Sequence, residues 1–88
     1  MVSKKVKITN ELGIHARPAT KLVRIASSGK SQVSLIKDNQ RANAQSILGV
    51  MLLEAISGSS IIIEVEGEDE EMVLEKLVRL INNNFEED

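Results

Sequence analysis

"IIIEVEGEDEEMVLEKLVRLI", residues 61–81, changes its period once, at Gly67. Before the glycine, Ile61, Ile63 and Val65 alternate with Ile62, Glu64 and Glu66, the two-residue period of a strand with one mainly wet face. After it, Val73, Leu74, Leu77, Val78 and Ile81 recur at helical spacing and form a stripe that needs burying. Asp69 stands where a helix N-cap belongs, and Glu70 and Glu71 suit the positive end of the helix dipole. A one-sided strand followed at once by a one-sided helix implies two layers, with helices packed on one side of a sheet.

The same two periods divide the rest of the chain. Val2, Lys4, Val6 and Ile8 share a strand face, and only Lys4 breaks its apolar pattern. Asn10-Glu11-Leu12-Gly13 reads as a turn. Ala16, Ala19, Leu22, Val23 and Ala26 mark a helix with Thr20, Lys21 and Arg24 outward, stopped by Ser27-Ser28 with Gly29 at its C′ position. Gln32–Lys37 is a strand with Val33 and Leu35 inward, and Asp38-Asn39 turns it into a short strand, Gln40–Ala44. Ser46 caps an apolar helix expected from Ile47 to Ile56, which Ser57-Gly58-Ser59 ends. The tail Asn82–Asp88 has no period and is expected to fray. The order is β-α-β-β-α-β-α, an α+β fold in one domain, 1–88, with a largely antiparallel sheet.

Composition narrows the function classes. At 42% apolar and 27% charged residues, the 88-residue chain has the make-up of a folded globular domain. Phe85 is its only aromatic residue, so the core is aliphatic. It has no cysteine and one histidine, which leaves no thiolate or multi-histidine metal site. A net charge of −2 with almost no aromatics argues against nucleic acid. No apolar run approaches the ~18 residues needed to cross a bilayer, and no apolar signal core follows MVSKK. The expected location is the cytoplasm and the expected state a monomer. Charge is uneven: Lys4, Lys5, Lys7, Arg17, Lys21, Arg24 and Lys30 face one acid, Glu11, in the first 30 residues. A basic first helix suits an acidic partner surface.

The single histidine lies in "GIHARPAT", residues 13–20, at or just before the first helical turn. Pro18 is tolerated there because first-turn amides have no helical partner to lose. Those amides and the helix dipole favour anions. A neutral imidazole is a nucleophile, and the Arg17 guanidinium has a fork geometry suited to phosphoryl oxygens. Within one turn the chain therefore has the groups to accept a phosphoryl group and hold it. "SSGKS", residues 27–31, imitates a phosphate-binding loop but fails it: position 24 is Arg24, and the order is helix then strand.

"GIHARPAT", together with "SILGVM" and "GSSIIIEVEGEDEE", resembles the phosphocarrier protein HPr family of the bacterial phosphoenolpyruvate-dependent phosphotransferase system, nearly end to end. The resemblance implies an open-faced β-sandwich, with four antiparallel strands covered on one side by three helices. It implies that His15 accepts phosphate from enzyme I and passes it to enzyme IIA proteins, with no cofactor. It makes Arg17 the charge partner and Ser46 the target of an HPr serine kinase/phosphorylase. Thr20, Arg24, Ile47, Leu48 and Met51 become partner-binding positions, although apolar character alone would send most of Ile47, Leu48, Met51 and Leu52 to the core.

Four residues depart from the family pattern. Leu12 stands where a hydroxyl or amide side chain is common, and Gln45 where a lysine is common. Leu52 and Glu54 replace the serine and glycine of a common "MSLG" stretch. "ITNELGIHARPA", "MLLEA" and "NNNFEED" lean toward the nitrogen-branch paralogue. Two classes of function follow, a phosphoryl carrier and a regulatory adaptor governed by Ser46. A small-molecule-binding domain lacks a glycine-rich or aromatic signature here.

Overall fold

A computed structural model describes residues 1–86. Its order is β1 (Val2–Lys7), α1 (Ala16–Ser28), β2 (Gln32–Lys37), β3 (Gln40–Asn43), α2 (Ile47–Leu52), β4 (Ser60–Glu66), α3 (Glu70–Asn82) and a 3-10 turn, Asn84–Glu86. The sheet runs β1-β4-β2-β3, and every pairing is antiparallel. This is the expected α+β architecture.

The register explains why the strand pattern of 61–66 dominates the fold. β4 lies inside the sheet, pairing Val6 with Ile61 on one side and Leu35 with Ile63 on the other. Every inward residue thereby faces the same layer, and Val33, Leu35, Ile61, Ile63 and Val65 are buried. Two amphipathic helices cover that face. α1 buries Pro18, Ala19, Leu22 and Ala26, whereas α3 buries Val73, Leu77, Leu80 and Ile81. Leu74 and Val78 sit half-buried at the margin of the core, and Ala16 is exposed. The opposite sheet face carries Lys5, Lys7, Glu64, Glu66 and Arg41, with an Arg41–Glu64 ion pair at 2.7 Å.

Strand β3 stops at Asn43, one residue short of the expected Ala44, and four further expectations fail, each for a tertiary reason. Helix α2 ends at Leu52, not Ile56, because Glu54 adopts φ +53°. The Lys37 ammonium then takes the carbonyls of Leu53 and Glu54 at 3.2 and 2.9 Å. Asp69 occupies the N-cap of α3 but makes no capping bond. Its carboxylate instead accepts the Lys30 amide at 2.9 Å and the Ser31 hydroxyl, tying the start of β2 to α3. Gly29 is extended, with φ −106°, and not left-handed. Its glycine is a matter of space: a Cβ there would collide with the Asp69 carboxylate and come within 2.9 Å of Val73 Cγ2.

The fourth failure is the tail. It does not fray over its described part. Phe85 is fully buried, and its carbonyl accepts the Lys21 ammonium at 2.7 Å. Asn84, Phe85 and Glu86 form a left-handed turn with φ of 53°, 57° and 61°. The last two residues of the expected fray, 87–88, lie outside the described residues.

Candidate functional site

The segment before α1 is pinned from three sides. Asn10 is buried, and its side-chain amide donates to the Gly13 carbonyl at 2.7 Å. The Ile14 amide donates to the Ala55 carbonyl at 2.9 Å. Gly13 has φ +66°, and a Cβ there would come within 2.5 Å of the Ala55 oxygen and 2.8 Å of Ile56 Cα. Only glycine fits this crossing. The chain therefore reaches His15 from a fixed direction.

His15 is the N-cap of α1, with φ −94° and ψ −166°. Its carbonyl accepts the Ala19 amide at 2.9 Å, but its imidazole makes no capping bond. The ring is half-buried, and Nε2 is turned away from solvent. Pro18 has no amide to offer, so Ala16 and Arg17 supply the first-turn N–H groups beside the ring. Arg17 is exposed, and among the described residues no carboxylate pairs with it. An imidazole, two helix-start amides and an exposed guanidinium thus share one turn. Negative charge is favoured at this point.

The remaining candidates divide by what their side chains already do. The Thr20 hydroxyl donates to the Ala16 carbonyl at 2.8 Å, so it is spent within the helix. Arg24 stays exposed on the outer face of α1, two turns beyond Arg17. Lys21 is engaged by the tail at Phe85. Ser46 caps α2: its Oγ accepts the Gly49 amide at 3.1 Å. Gln45 caps the far end of α1, donating to the Ala26 carbonyl at 3.1 Å.

The core assignment of the α2 side chains fails. In this six-residue helix only Val50 is buried. Ile47, Leu48, Met51 and Leu52 are exposed, because so short a helix turns one position to the core and leaves the rest outside. α1 and α2 pack against each other. Two exposed neighbours were not singled out as contacts by the sequence: Leu12, beside Gly13, and Ile56, beside Ala55.

Comparison with known proteins fits this arrangement. Residues 2–83 match the family profile described as "PTS HPr component phosphorylation site". The chain belongs to the HPr family. Its 88 residues are 46% identical to phosphocarrier protein HPr of Treponema pallidum, with both chains covered completely. The match to phosphocarrier protein NPr of Escherichia coli is 38% identical over 99% of this chain and 98% of that one. The crystal structure of HPr-C-His from Thermoanaerobacter tengcongensis superposes with a TM-score of 0.96 at 41% identity, covering 100% of this chain and 99% of that one. As an HPr-like protein the chain is a phosphocarrier of the phosphotransferase system and not a catalyst. Among the described residues no helix is long and apolar enough to cross a membrane.

Proposed function

We propose that the chain accepts a phosphoryl group on His15 from phosphorylated enzyme I and delivers it to enzyme IIA proteins in the cytoplasm. The observation that carries this reading is the mounting of His15: an N-cap whose ring is not used for capping, beside Arg17 and the Ala16 and Arg17 amides. Because Nε2 is shielded from solvent, we assign Nδ1 as the acceptor. Its lone pair attacks the donor's phosphorus, the new N–P bond forms, and the electron pair of the broken bond returns to the donor's ring. The Arg17 guanidinium and the helix-start amides balance the charge on the phosphoryl oxygens. The group stays transferable because it is held by a P–N bond and by the exposed Arg17 side chain.

Ser46 supports a second, regulatory reading. It already caps α2, so a phosphate there meets the positive end of a helix dipole and leaves the fold intact. It also sits beside exposed Ile47 and Leu48, where added charge alters docking of enzyme I. A serine kinase/phosphorylase acting at this site would make the chain an adaptor as well as a carrier. The similarity to an NPr favours a regulatory relay as the alternative to sugar uptake.

The test is labelling with phosphoenolpyruvate and the enzyme I of the same cell. One phosphate per chain is expected, lost in acid, retained in base, and absent from His15→Ala. An acid-stable label, or one that persists in His15→Ala, would overturn the assignment.

A further inference from the structure

The sheet has two edges, β1 and β3. β3 has four residues and α2 packs against it, whereas β1 has six and packs against α3. Ile8, just past β1, donates its amide to the Ser59 carbonyl at 2.8 Å, so the β4 side takes the amides of the even-numbered residues. Alternation turns the amides and carbonyls of Ser3, Lys5 and Lys7 toward the free edge. Beside that edge β1 and α3 line an open groove of about 480 Å³, floored by the half-buried Val2, Leu74 and Val78. The groove lies at the sheet edge opposite the one that α2 flanks.

Charge says what this edge accepts. Lys4 is the one break in the inward apolar pattern of β1, and it lines the groove. Lys5 and Lys7 stand opposite Ile62 and Ser60, so β4 sets no carboxylate directly across from them. Glu64, diagonal to Lys5, is held by Arg41 at 2.7 Å. Lysines on an edge strand discourage two copies of it from pairing, because like charges then lie side by side. The same lysines favour a strand of opposite charge. We propose that the β1 edge binds an acidic, extended segment of another protein, which adds to the sheet as a further strand. Its side chains alternate. Acidic ones share the open sheet face with Lys5 and Lys7, and apolar ones lie in the groove over Val2, Leu74 and Val78. Main-chain bonds to Ser3, Lys5 and Lys7 supply the pairing.

The experiment follows fast exchange of backbone amides with water by NMR, on the full chain, with the peptide Glu-Val-Glu-Val-Glu-Val as probe. Glu-Glu-Glu-Val-Val-Val keeps the composition without the alternation, and Lys-Val-Lys-Val-Lys-Val reverses the charge. The shift titration is expected to give a Kd of about 1 mM or below. With peptide at about fivefold its Kd, exchange at Lys5 and Lys7 should slow about fivefold, while the Lys4 and Val6 amides, turned to β4, are slow in both states. Lys5→Glu/Lys7→Glu should weaken the Kd at least about tenfold, and the charge-matched Lys30→Glu/Lys76→Glu should leave it unchanged. Absence of protection at Lys5 and Lys7, or a Kd that Lys5→Glu/Lys7→Glu does not move, would overturn the proposal. Equal protection by either control peptide would overturn it in favour of unspecific adsorption. Protection that appears without peptide as the protein is concentrated would overturn it in favour of a second copy of this chain.

Discussion

Replacing Phe85 with alanine tests the most consequential departure from the expected fold, a tail that is anchored. Phe85 is fully exposed in the frayed picture and fully buried in the structure. Phe→Ala at a buried site costs about 3–5 kcal/mol when the surroundings stay in place. Here an escape exists. Asn84, Phe85 and Glu86 are all left-handed, and that conformation costs roughly 1–2 kcal/mol per residue, less for asparagine. A tail without its ring can let go and recover this strain, so the loss is capped near the net docking energy of the turn. We expect about 2–4 kcal/mol, which in a domain of this size lowers the melting midpoint by roughly 10–25 °C. Thermal melting and urea titration of the two proteins, with m compared, is the assay. A loss under about 1 kcal/mol would refute the reasoning, because burial of the only aromatic side chain would then count for almost nothing.

Three further outcomes follow from the same contacts. Glu54→Gly should stabilise the protein by about 0.5–1 kcal/mol, since relief of a left-handed glutamate exceeds glycine's extra unfolded-state freedom; a destabilised variant in a melting experiment would contradict this. The Ser31 hydroxyl, and after it the Lys30 amide, hold the Asp69 carboxyl below its ordinary value of 3.8. A depressed folded-state pKa gives stability that is present above the unfolded value and is lost as pH falls through the folded one. The melting points of the unmodified protein and Asp69→Asn should therefore converge as pH drops below about 4, and a constant gap would remove this linkage. Ser46→Asp should keep the fold while slowing phosphate uptake from enzyme I; unchanged uptake in a well-folded variant would leave Ser46 as a cap only.

Where local chemistry decides the conformation, the chain was legible. The alternation in β4 and the Ser46 cap depend on neighbours within a few residues and stand in the structure as read, while the stripe on α3 stands at Val73, Leu77 and Ile81 but has Leu80 buried in place of Leu74 and Val78, which stay half-buried. The mounting of His15 at the start of α1 was legible for the same reason. Distant partners were not. Asp69 looks like a cap until β2 brings Lys30 and Ser31 to its carboxylate. Glutamate itself gives no sign of a left-handed residue, and only the glycine common at that place in the family pattern points to φ +53° at Glu54, so α2 reads four residues too long. Phe85 is one apolar residue in a polar tail and has no period to reveal its burial, while Lys21 reads as an outward lysine. The exposure of Leu12 and Ile56 depends on how two loops cross, and no spacing along the chain records that.

The carrier claim is tested most directly by following one phosphate through the chain. Stoichiometric labelled phospho-enzyme I is mixed with the protein, the reaction is quenched at intervals, and an enzyme IIA from the same cell is then added. The account predicts that label moves onto His15 and then leaves it for the enzyme IIA, with Arg17→Lys slowing the transfer while the melting midpoint holds. Label that never reaches the chain, or that reaches it and stays when the acceptor is supplied, would contradict it.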